Sequence, residues 1–548
     1  PRAVIGVMPE SMNVTGNDED LWVPLALTRE DALRQGARFL DFRARIRDGV
    51  TLDQARASAS QVVQASIGSD PQRASTAAEY GAAIRPLIDE IAGDYRSLLF
   101  VLLGAGGFVL LIACTNVANL LIARGSVRAR ELSIRAALGA GRRRLLRQLV
   151  TESAVLAFGG AVVGMALAFA LLRAVLAVSP EGVPRLDQAH VDVRVLGFTL
   201  LCAAVSTALF GLMPALRLTG TNLEAALRAG GRSLRGGRDR LRAALVGVEV
   251  ALAMTLLVGA GLLIRSAILI QRVEPGFDAD GVYAASVMLP GARYSDAAVT
   301  VRFYEQLHRD ATQLPAVSSA ALVSMLPLSG NNASSSVRTE DTGPDDPSPV
   351  APNLRLASPG YFATMHIPLR AGRDIAPADV DGAPRVMVIN ELLAARLWPN
   401  VPLRDVLGRR LNAIAPSLAQ PLWWEIVGVV GNVRSEALGR EPRPEFFVPV
   451  AQTPALLWPY IQRSLTLVAR TRSPGIDAAT LDRPLRETVN AIDPGLPVAD
   501  GRPMNEYMRR SRATARFNTL VLATLGGMAL ALAVIGVYRG VGYFGRHR

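Results

Sequence analysis

The chain has 548 residues, of which 50% are hydrophobic and only 5% aromatic, and its formal net charge is +12. The hydrophobic excess is aliphatic and concentrated in long runs, which is typical of a membrane protein rather than a soluble enzyme. Every basic residue is arginine; because a Walker A loop needs a lysine to reach the nucleotide phosphates, the chain cannot build that ATP-binding loop.

Five stretches have the length and low charge of membrane-spanning helices, which need about 20 apolar residues. Four contain uncharged runs of this length, the second of them Ser153–Leu172 after Glu152, and the fourth in order carries only Glu249. We predict, in chain order, an extracytoplasmic segment (1–96), a transmembrane helix (97–123), a cytoplasmic loop (124–148), transmembrane helices at 149–172 and 195–216, a cytoplasmic linker (217–242), a transmembrane helix (243–264), a large extracytoplasmic domain (265–516), a transmembrane helix (517–538) and a cytoplasmic tail (539–548).

The arginines orient these helices, because cytoplasmic loops of membrane proteins carry an excess of positive charge. Loop 124–148 has a charge of +7, linker 217–242 has +5, and the tail adds three arginines, so the remainder of the chain carries −3. All of the positive excess therefore falls on one side, which we assign to the cytoplasm. The basic composition is explained by topology and contact with anionic headgroups, so we expect no nucleic-acid partner.

Small residues and one acid stand out within the spans. Helices in lipid associate through small residues, so we assign helix packing to Gly160, Gly164, Gly259 and Gly261. Glu249 lies about 9 Å into its helix at 1.5 Å per residue. An acid at that depth is a functional candidate, and the alternative is that it reaches the cytoplasmic surface and pairs with an arginine.

Strand-like and helix-like patterns alternate through domain 265–516 and predict an α+β fold. The predicted strands are Val282–Leu289, Val317–Met325, Val386–Ile389, Ile426–Val430 and Ser464–Arg470, and the predicted helices are Ala297–Leu314, Glu391–Leu397 and one near Ala478–Ile492. The Ser-, Asn-, Asp- and Pro-rich segment Ser329–Pro352 predicts a flexible loop.

The N-terminal part repeats the end of this domain. AVIGVMPE near Ala3 parallels EIVGVVGN near Glu425, LWVPLA parallels FFVPVA, and FRARIRDG parallels LVARTRSP. A helix is predicted after each of the last two segments, and the apolar helix at Tyr95–Leu121 then parallels the one at Arg516–Val541. An internal duplication is the economical interpretation, and duplicated helical halves are common in transporters.

A short amphipathic helix is predicted in the first cytoplasmic loop at Ala129–Leu138. Glu131 and Arg135 form an i,i+4 pair, and Gly139 offers a stop. From chemistry alone, two interpretations remain open: docking on a partner protein, or lying in the lipid headgroups.

The segment RELSIRAALGAGRRRLLRQLVTES resembles the signature of MacB/FtsX-type ABC permeases. LLIACTNVANLLIARG, SPGYFATMHIPLRAGRDI and VMVINELLAARLWP resemble, more narrowly, duplicated permeases of this type described from acidobacteria. The resemblance implies a helical transmembrane bundle with α+β extracytoplasmic domains, the second having a porter-like part and an inserted lobe at about 353–451.

The resemblance also implies partners. A separate ABC ATPase would engage the cytoplasmic helix through coupling residues Arg130, Glu131, Ile134, Arg135 and Gly139. The permease would sit in the bacterial inner membrane as a multi-pass pseudo-dimer or homodimer, with a periplasmic adaptor as a further partner. A complete member has eight spans and two coupling loops, so we expect this sequence to be truncated at both ends.

Two alternatives to an export or force-transmitting permease are an ATP-independent sensor or scaffold and a membrane-anchored hydrolase. His308 and His366 are the bases a hydrolase would have, but no G-x-S-x-G elbow accompanies them. The four histidines lack metal-ligand spacing and the two cysteines, Cys114 and Cys202, lie in apolar runs. We therefore predict no catalytic, metal or cofactor site.

Overall fold

The computed structural model describes residues 3–9, 22–24, 42–69, 78, 81–89, 96, 99–117, 142–178, 189–206, 233–330, 332–342, 350–413, 422–458, 461 and 463–545. The chain divides into two compact units. The first comprises Pro1–Trp22, Phe42–Ala267 and Thr514–Arg548, and the second comprises Val23–Asp41 and Ile268–Ala513.

Ten helices are used below. They are α1 (Leu52–Gly68), α2 (Leu99–Val117), α3 (Arg142–Val178), α4 (Val193–Ser206), α5 (Ser233–Arg272), α6 (Ala297–Thr312), α7 (Tyr361–Thr364), α8 (Glu391–Leu397), α9 (Asp482–Ile492) and α10 (Met504–Gly545). Helix α1 follows FRARIRDG as the repeat predicts, and it begins with a capping box in which Thr51 and Gln54 satisfy each other's backbone amides.

Three helices in the described part of the chain are long and apolar enough to cross a membrane. The apolar stretches are Leu99–Val117, Ala157–Ala174 and Ala244–Arg272, and Thr519–Ile535 is a shorter one. All four fall on predicted spans. The described residues of the remaining predicted span, 195–216, belong to α4. The full count of five spans and their orientation stay predictions.

Helix α3 is much longer than its apolar stretch. It has 37 residues and therefore measures about 55 Å, against a hydrocarbon thickness of about 30 Å. The additional turns include Arg142–Arg144 and Arg147 at its N-terminal end. The predicted span, 149–172, is shorter than α3. Charged residues in a sequence indicate where a helix leaves the lipid, but the helix continues beyond that point.

The second unit is built on one mixed sheet of eleven strands. In chain order they are β1 (Val282–Met288), β2 (Val317–Val323), β3 (Arg338–Thr339), β4 (Asn353–Ala357), β5 (Leu369–Gly372), β6 (Val386–Asn390), β7 (Arg410–Asn412), β8 (Trp423–Val430), β9 (Glu445–Pro449), β10 (Ser464–Thr471) and β11 (Val498–Pro503). The order across the sheet is β11-β1-β10-β2-β4-β9-β6-β8-β7-β3, with β5 paired to β8. Pairs β4–β9 and β6–β8 are parallel, and the other pairs are antiparallel.

The predicted α+β fold of this domain is confirmed, and the predicted strands and helices are present with small shifts at their ends. Two details differ. The polar segment Ser329–Pro352 contains β3, which pairs with β7 through Arg338 and Asn412. The helix predicted near Ala478 begins as a 3-10 turn, Ala478–Leu481, before α9.

Both faces of the sheet are covered. Along β1, Tyr283, Ala285 and Val287 belong to one buried cluster, in which α6 and α9 pack through residues such as Leu307 and Val489. Val282 and Ala284 belong to the opposite cluster, with Tyr361 and Phe362 of α7. This alternation is the period of two expected of a strand, and burial on both faces explains the near-continuous apolar runs in the sequence.

Strands β2 and β4 meet at a narrow seam, with a single paired register position, Val323 and Ala357. Two serines extend it. The hydroxyl of Ser358 accepts from the Leu322 amide (2.8 Å), and that of Ser324 accepts from the Leu356 amide (2.9 Å). Serine side-chain oxygens thus replace backbone carbonyls as acceptors at the end of the β2–β4 hydrogen-bond ladder.

Candidate functional site

Helices α2, α5 and α10 of the first unit pack together around small apolar side chains. The cluster comprises Ala105 and Ile112 of α2, Ala253 and Leu256 of α5, and Leu522, Ala529 and Ala533 of α10. Polar cross-links also join the helices: the Asn116 side-chain amide donates to the Leu532 carbonyl at 2.9 Å, and the Thr519 hydroxyl donates to the Leu263 carbonyl at 3.4 Å. Small residues and side-chain hydrogen bonds are the usual means of association in lipid.

Glu249 lies on the face of α5 that enters this cluster. It precedes Ala253 by four residues and Leu256 by seven, which places the three side chains on one side of the helix. Its side chain is 0% exposed; neither carboxylate oxygen meets full hydrogen-bond geometry with a described residue, but the Asn116 side chain of α2 lies close enough to interact with it. Glu249 therefore does not reach the surface within this unit, and its functional role stays a prediction.

The close helix contact occurs at a glycine that the sequence analysis did not select. A Cβ added to Gly526 of α10 would lie 3.2 Å from the Ala260 Cβ of α5 and 3.7 Å from the Leu256 carbonyl oxygen. A Cβ at Gly160, Gly164, Gly259 or Gly261 would meet nothing within 4 Å. The packing role assigned to those four glycines stays a prediction.

The predicted coupling residues Arg130, Glu131, Ile134, Arg135 and Gly139 lie outside the described residues. The structure resumes at Arg142, the first residue of α3. The arginine-rich end of the predicted loop is thus continuous with the helix that contains the apolar stretch Ala157–Ala174.

A buried ion pair joins parallel strands β4 and β9 in the second unit, and sequence reasoning missed it. Arg355 and Glu445 are each 1% exposed, and Nη2 lies 2.9 Å from Oε1. Asn353 also donates to Oε1 (3.2 Å), and Arg355 donates to the side-chain oxygen of Asn332 (3.2 Å). The pair is well hydrogen-bonded, as a buried pair has to be to offset its desolvation; its chemistry is structural rather than catalytic.

Asp278, just before β1, gathers a partly exposed polar cluster. Its carboxylate contacts His366 Nδ1 at 2.9 Å and Arg470 Nη1 at 3.1 Å. Burial acts to raise the pKa of Asp278, but hydrogen bonds from the Asp280 amide, His366 and Arg470 outweigh it and hold that pKa below its ordinary value. His366 has a φ of 52°, so this contact is held at a strained backbone position.

His308 of α6 lies against the sheet, where its Nε2 is 2.9 Å from the Ala320 carbonyl oxygen. Burial lowers the pKa of His308, and the carbonyl contact only partly opposes that shift. The hydrogen bonds of His308 and His366 thus go to a carbonyl and a carboxylate. Among the residues described, no three His, Cys, Asp or Glu side chains form a group that could hold a metal ion.

Two family models match the chain. The model of the FtsX-like permease C-terminal region matches residues 103–223. The model of the MacB-like periplasmic core domain matches residues 246–487, which include β1 to β10.

The curated relatives are named as export ATP-binding/permease proteins. The macrolide export ATP-binding/permease protein MacB of Rhodospirillum rubrum is 31% identical over 220 residues, which cover 39% of this chain and 31% of that protein. The pyoverdine export ATP-binding/permease protein PvdT of Pseudomonas syringae pv. tomato is 33% identical over 129 residues, 24% of this chain and 19% of that protein. The chain thus aligns with about a third or less of these relatives' length.

Two solved structures are similar to part of the chain. The periplasmic region of MacB from Actinobacillus actinomycetemcomitans is 14% identical, with a TM-score of 0.28 and coverage of 43% of this chain and 94% of that one. The extracellular domain of the noncanonic ABC-type transporter YknZ from Gram-positive bacteria is 15% identical, with a TM-score of 0.26 and coverage of 40% and 100%.

Proposed function

We propose that this chain, which is a MacB/FtsX-type ABC transporter permease of the cell membrane, couples a separate ATPase to its extracytoplasmic domain for export or for transmission of force. The observation that carries the proposal is the pair of matched regions, one in the membrane part and one in the outside domain, in a chain without any lysine. The proposal assigns ATP hydrolysis to a separate subunit, since a phosphate-binding loop requires a lysine and these 548 residues contain none.

The proposed route of coupling starts at the cytoplasmic helix. In this proposal, closure of the ATPase moves the coupling residues Arg130, Glu131, Ile134, Arg135 and Gly139. The motion then passes to α3, because the arginine-rich first turns of α3 and its apolar stretch belong to one continuous helix. A continuous helix suits this role, since its hydrogen bonds resist bending and compression within the segment.

The order of the matched regions supports an internal duplication. A region described as C-terminal in its family lies at 103–223, ahead of the core domain at 246–487. Two tandem copies place the end of one copy before the beginning of the next. We propose accordingly a multi-pass inner-membrane protein that acts as a pseudo-dimer or homodimer, with a periplasmic adaptor as a further partner.

Co-purification tests the ATPase partnership. The full chain, tagged and isolated from its native host in mild detergent, is expected to retain an ABC ATPase subunit. Glu131→Arg reverses the charge in the first turn of the predicted helix Ala129–Leu138 and is expected to reduce the retained ATPase at least tenfold. Glu224→Arg, which makes the same change in the other cytoplasmic loop, serves as the matched control.

Three results count against the proposal. Retention unaffected by Glu131→Arg argues against docking at this helix, and equal loss with Glu224→Arg argues for a general effect of added positive charge. Absence of any ATPase, in a chain that is stable and membrane-inserted, favours the ATP-independent sensor or scaffold.

A further inference from the structure

Helices α3 and α4 form an apolar groove that the proposed function does not use. Its volume is about 430 Å³. The α3 wall consists of residues at helical spacing: Phe158, Ala161, Val162, Met165, Ala166 and Phe169. Phe158 and Phe169 are 66% and 50% exposed, so the groove is open along its length.

The opposite wall comes from the first turns of α4. Leu196, Thr199 and Leu200 line it at spacings of three and four residues, which places them on one face. Thr199 adds no free donor, because its hydroxyl donates to the Val195 carbonyl at 2.8 Å. Among the described lining residues, this wall therefore offers no free polar partner, which suits an apolar ligand.

The length of the groove matches half of a bilayer. From Phe158 to Phe169 the groove runs about 16 Å along α3, close to half of the roughly 30 Å hydrocarbon core. Its volume of about 430 Å³ is lined by apolar side chains, which suits a slender hydrocarbon chain. An acyl chain of one leaflet therefore matches the groove in length and in lining.

A cation marks one end of the groove. The guanidinium carbon of Arg173 lies 4.7 Å from the centroid of the Phe169 ring, so the ring that closes the wall also positions the charge. Arg173 is the last residue but one of the apolar stretch Ala157–Ala174, the depth at which arginine side chains meet headgroups. Guanidinium groups bind phosphate through paired hydrogen bonds.

We propose that this groove binds one acyl chain of an anionic phospholipid, with Arg173 contacting the headgroup phosphate. The ligand is the lipid itself and not free phosphate, because the apolar wall contributes only when a hydrocarbon chain is attached. In the predicted topology the site belongs to the extracytoplasmic leaflet. The proposal does not depend on an ATPase partner.

Photolabelling tests the site in the full chain reconstituted into phosphatidylcholine nanodiscs. Trace phosphatidylglycerol with a diazirine midway along one acyl chain is the probe, and phosphatidylcholine with the same chain is the comparison. We expect peptide mapping to find label between Phe158 and Phe169 and at Leu196–Leu200, severalfold higher for phosphatidylglycerol. Arg173→Gln changes an exposed side chain and is expected to remove that preference while leaving acyl labelling in place.

A pair of substitutions at one depth separates groove binding from bulk lipid contact. Ala166→Trp fills the groove and is expected to lower the labelling severalfold. Leu167→Trp adds the same ring about 100° around the helix, where it faces away from the groove and leaves labelling unchanged. Equal labelling of both lipids by the unmodified chain, indifference to Ala166→Trp, or cross-links from the groove to a second copy of the chain would overturn the proposal.

Discussion

Individual residues show how charge is tolerated inside the sheet. Strand β4, Asn353–Ala357, is fully buried although it contains Asn353 and Arg355. Its sequence has too little apolar character to predict a strand, and only Glu445 on the neighbouring strand β9 makes the buried arginine acceptable. Such a partner is 90 residues away, and no local pattern identifies it.

This ion pair gives the first prediction. Arg355→Met leaves Glu445 buried without its partner, which typically costs about 3–5 kcal/mol. We expect a correspondingly lower free energy of unfolding for the domain, followed in the purified full chain by fluorescence of buried Trp424 and Trp458. The double variant Arg355→Met/Glu445→Met removes both charges and is expected to recover most of the loss; a double variant as unstable as Arg355→Met would contradict this account.

The half-buried His308 gives a prediction about pH. Burial lowers its pKa in the folded domain, so as the pH falls the unfolded chain takes up the proton first, near its ordinary value of about 6.5. The domain is therefore expected to lose stability as the pH falls below about 6.5. His308→Gln is expected to flatten this dependence between pH 7 and 5 in chemical denaturation, whereas Arg302→Gln, on the exposed side of α6, leaves it unchanged.

At the scale of elements, the sequence did not predict which faces of the membrane helices pack against each other. Glu249 was conspicuous as a charge in an apolar run, but its complete burial follows from the convergence of α2, α5 and α10. Gly526 and Gly527 are adjacent and identical in sequence. Only the rotation of α10 determines that Gly526 faces Ala260.

That pair of glycines provides a matched test of the contact. Gly526→Leu forces a side chain against Ala260 and is expected to destabilise the helix pair by about 1–3 kcal/mol, as overpacking does in close-packed interiors. Gly527→Leu, where an added Cβ meets nothing within 4 Å, is expected to be tolerated. Thermal stability of the full chain in detergent measures the difference, and equal effects would mean that the α5–α10 contact is not close.

The edge strand β11 was missed for a different reason. Strand β11, Val498–Pro503, contains Asp-Gly and a proline, which predict a turn. It forms because it needs only one partner: it pairs with β1 alone, across a register shift, and a proline is acceptable on such an edge. The predicted strands, by contrast, are apolar on both faces, so their own sequence identifies them without knowledge of the neighbouring strands.

For the molecule as a whole, the α+β domain and the membrane helices were predictable because both follow from runs of apolar residues. The sequence could not supply the parallel pairing of β4 with β9 and of β6 with β8, since it depends on crossovers. The coupling helix rests on resemblance and on the pattern around Glu131 alone.

The topology itself is testable. In a chain with Cys114 and Cys202 replaced by alanine, Arg142→Cys and Arg235→Cys are expected to react with an impermeant maleimide from the same side of sealed vesicles. Ile476→Cys, at a side chain that is 47% exposed, is expected to react from the other side. Reaction of Arg142→Cys and Arg235→Cys from opposite sides would refute the assigned orientation.

The narrow junction between β2 and β4 has a mechanical consequence. A sheet pulled across its strands parts first where few hydrogen bonds cross, and here two backbone hydrogen bonds and two serine hydroxyls bridge the gap. If an optical trap pulled on handles attached to β1 and β6, which lie on opposite sides of this junction, the sheet is expected to separate here first. Its halves would separate as two blocks before either one unravels.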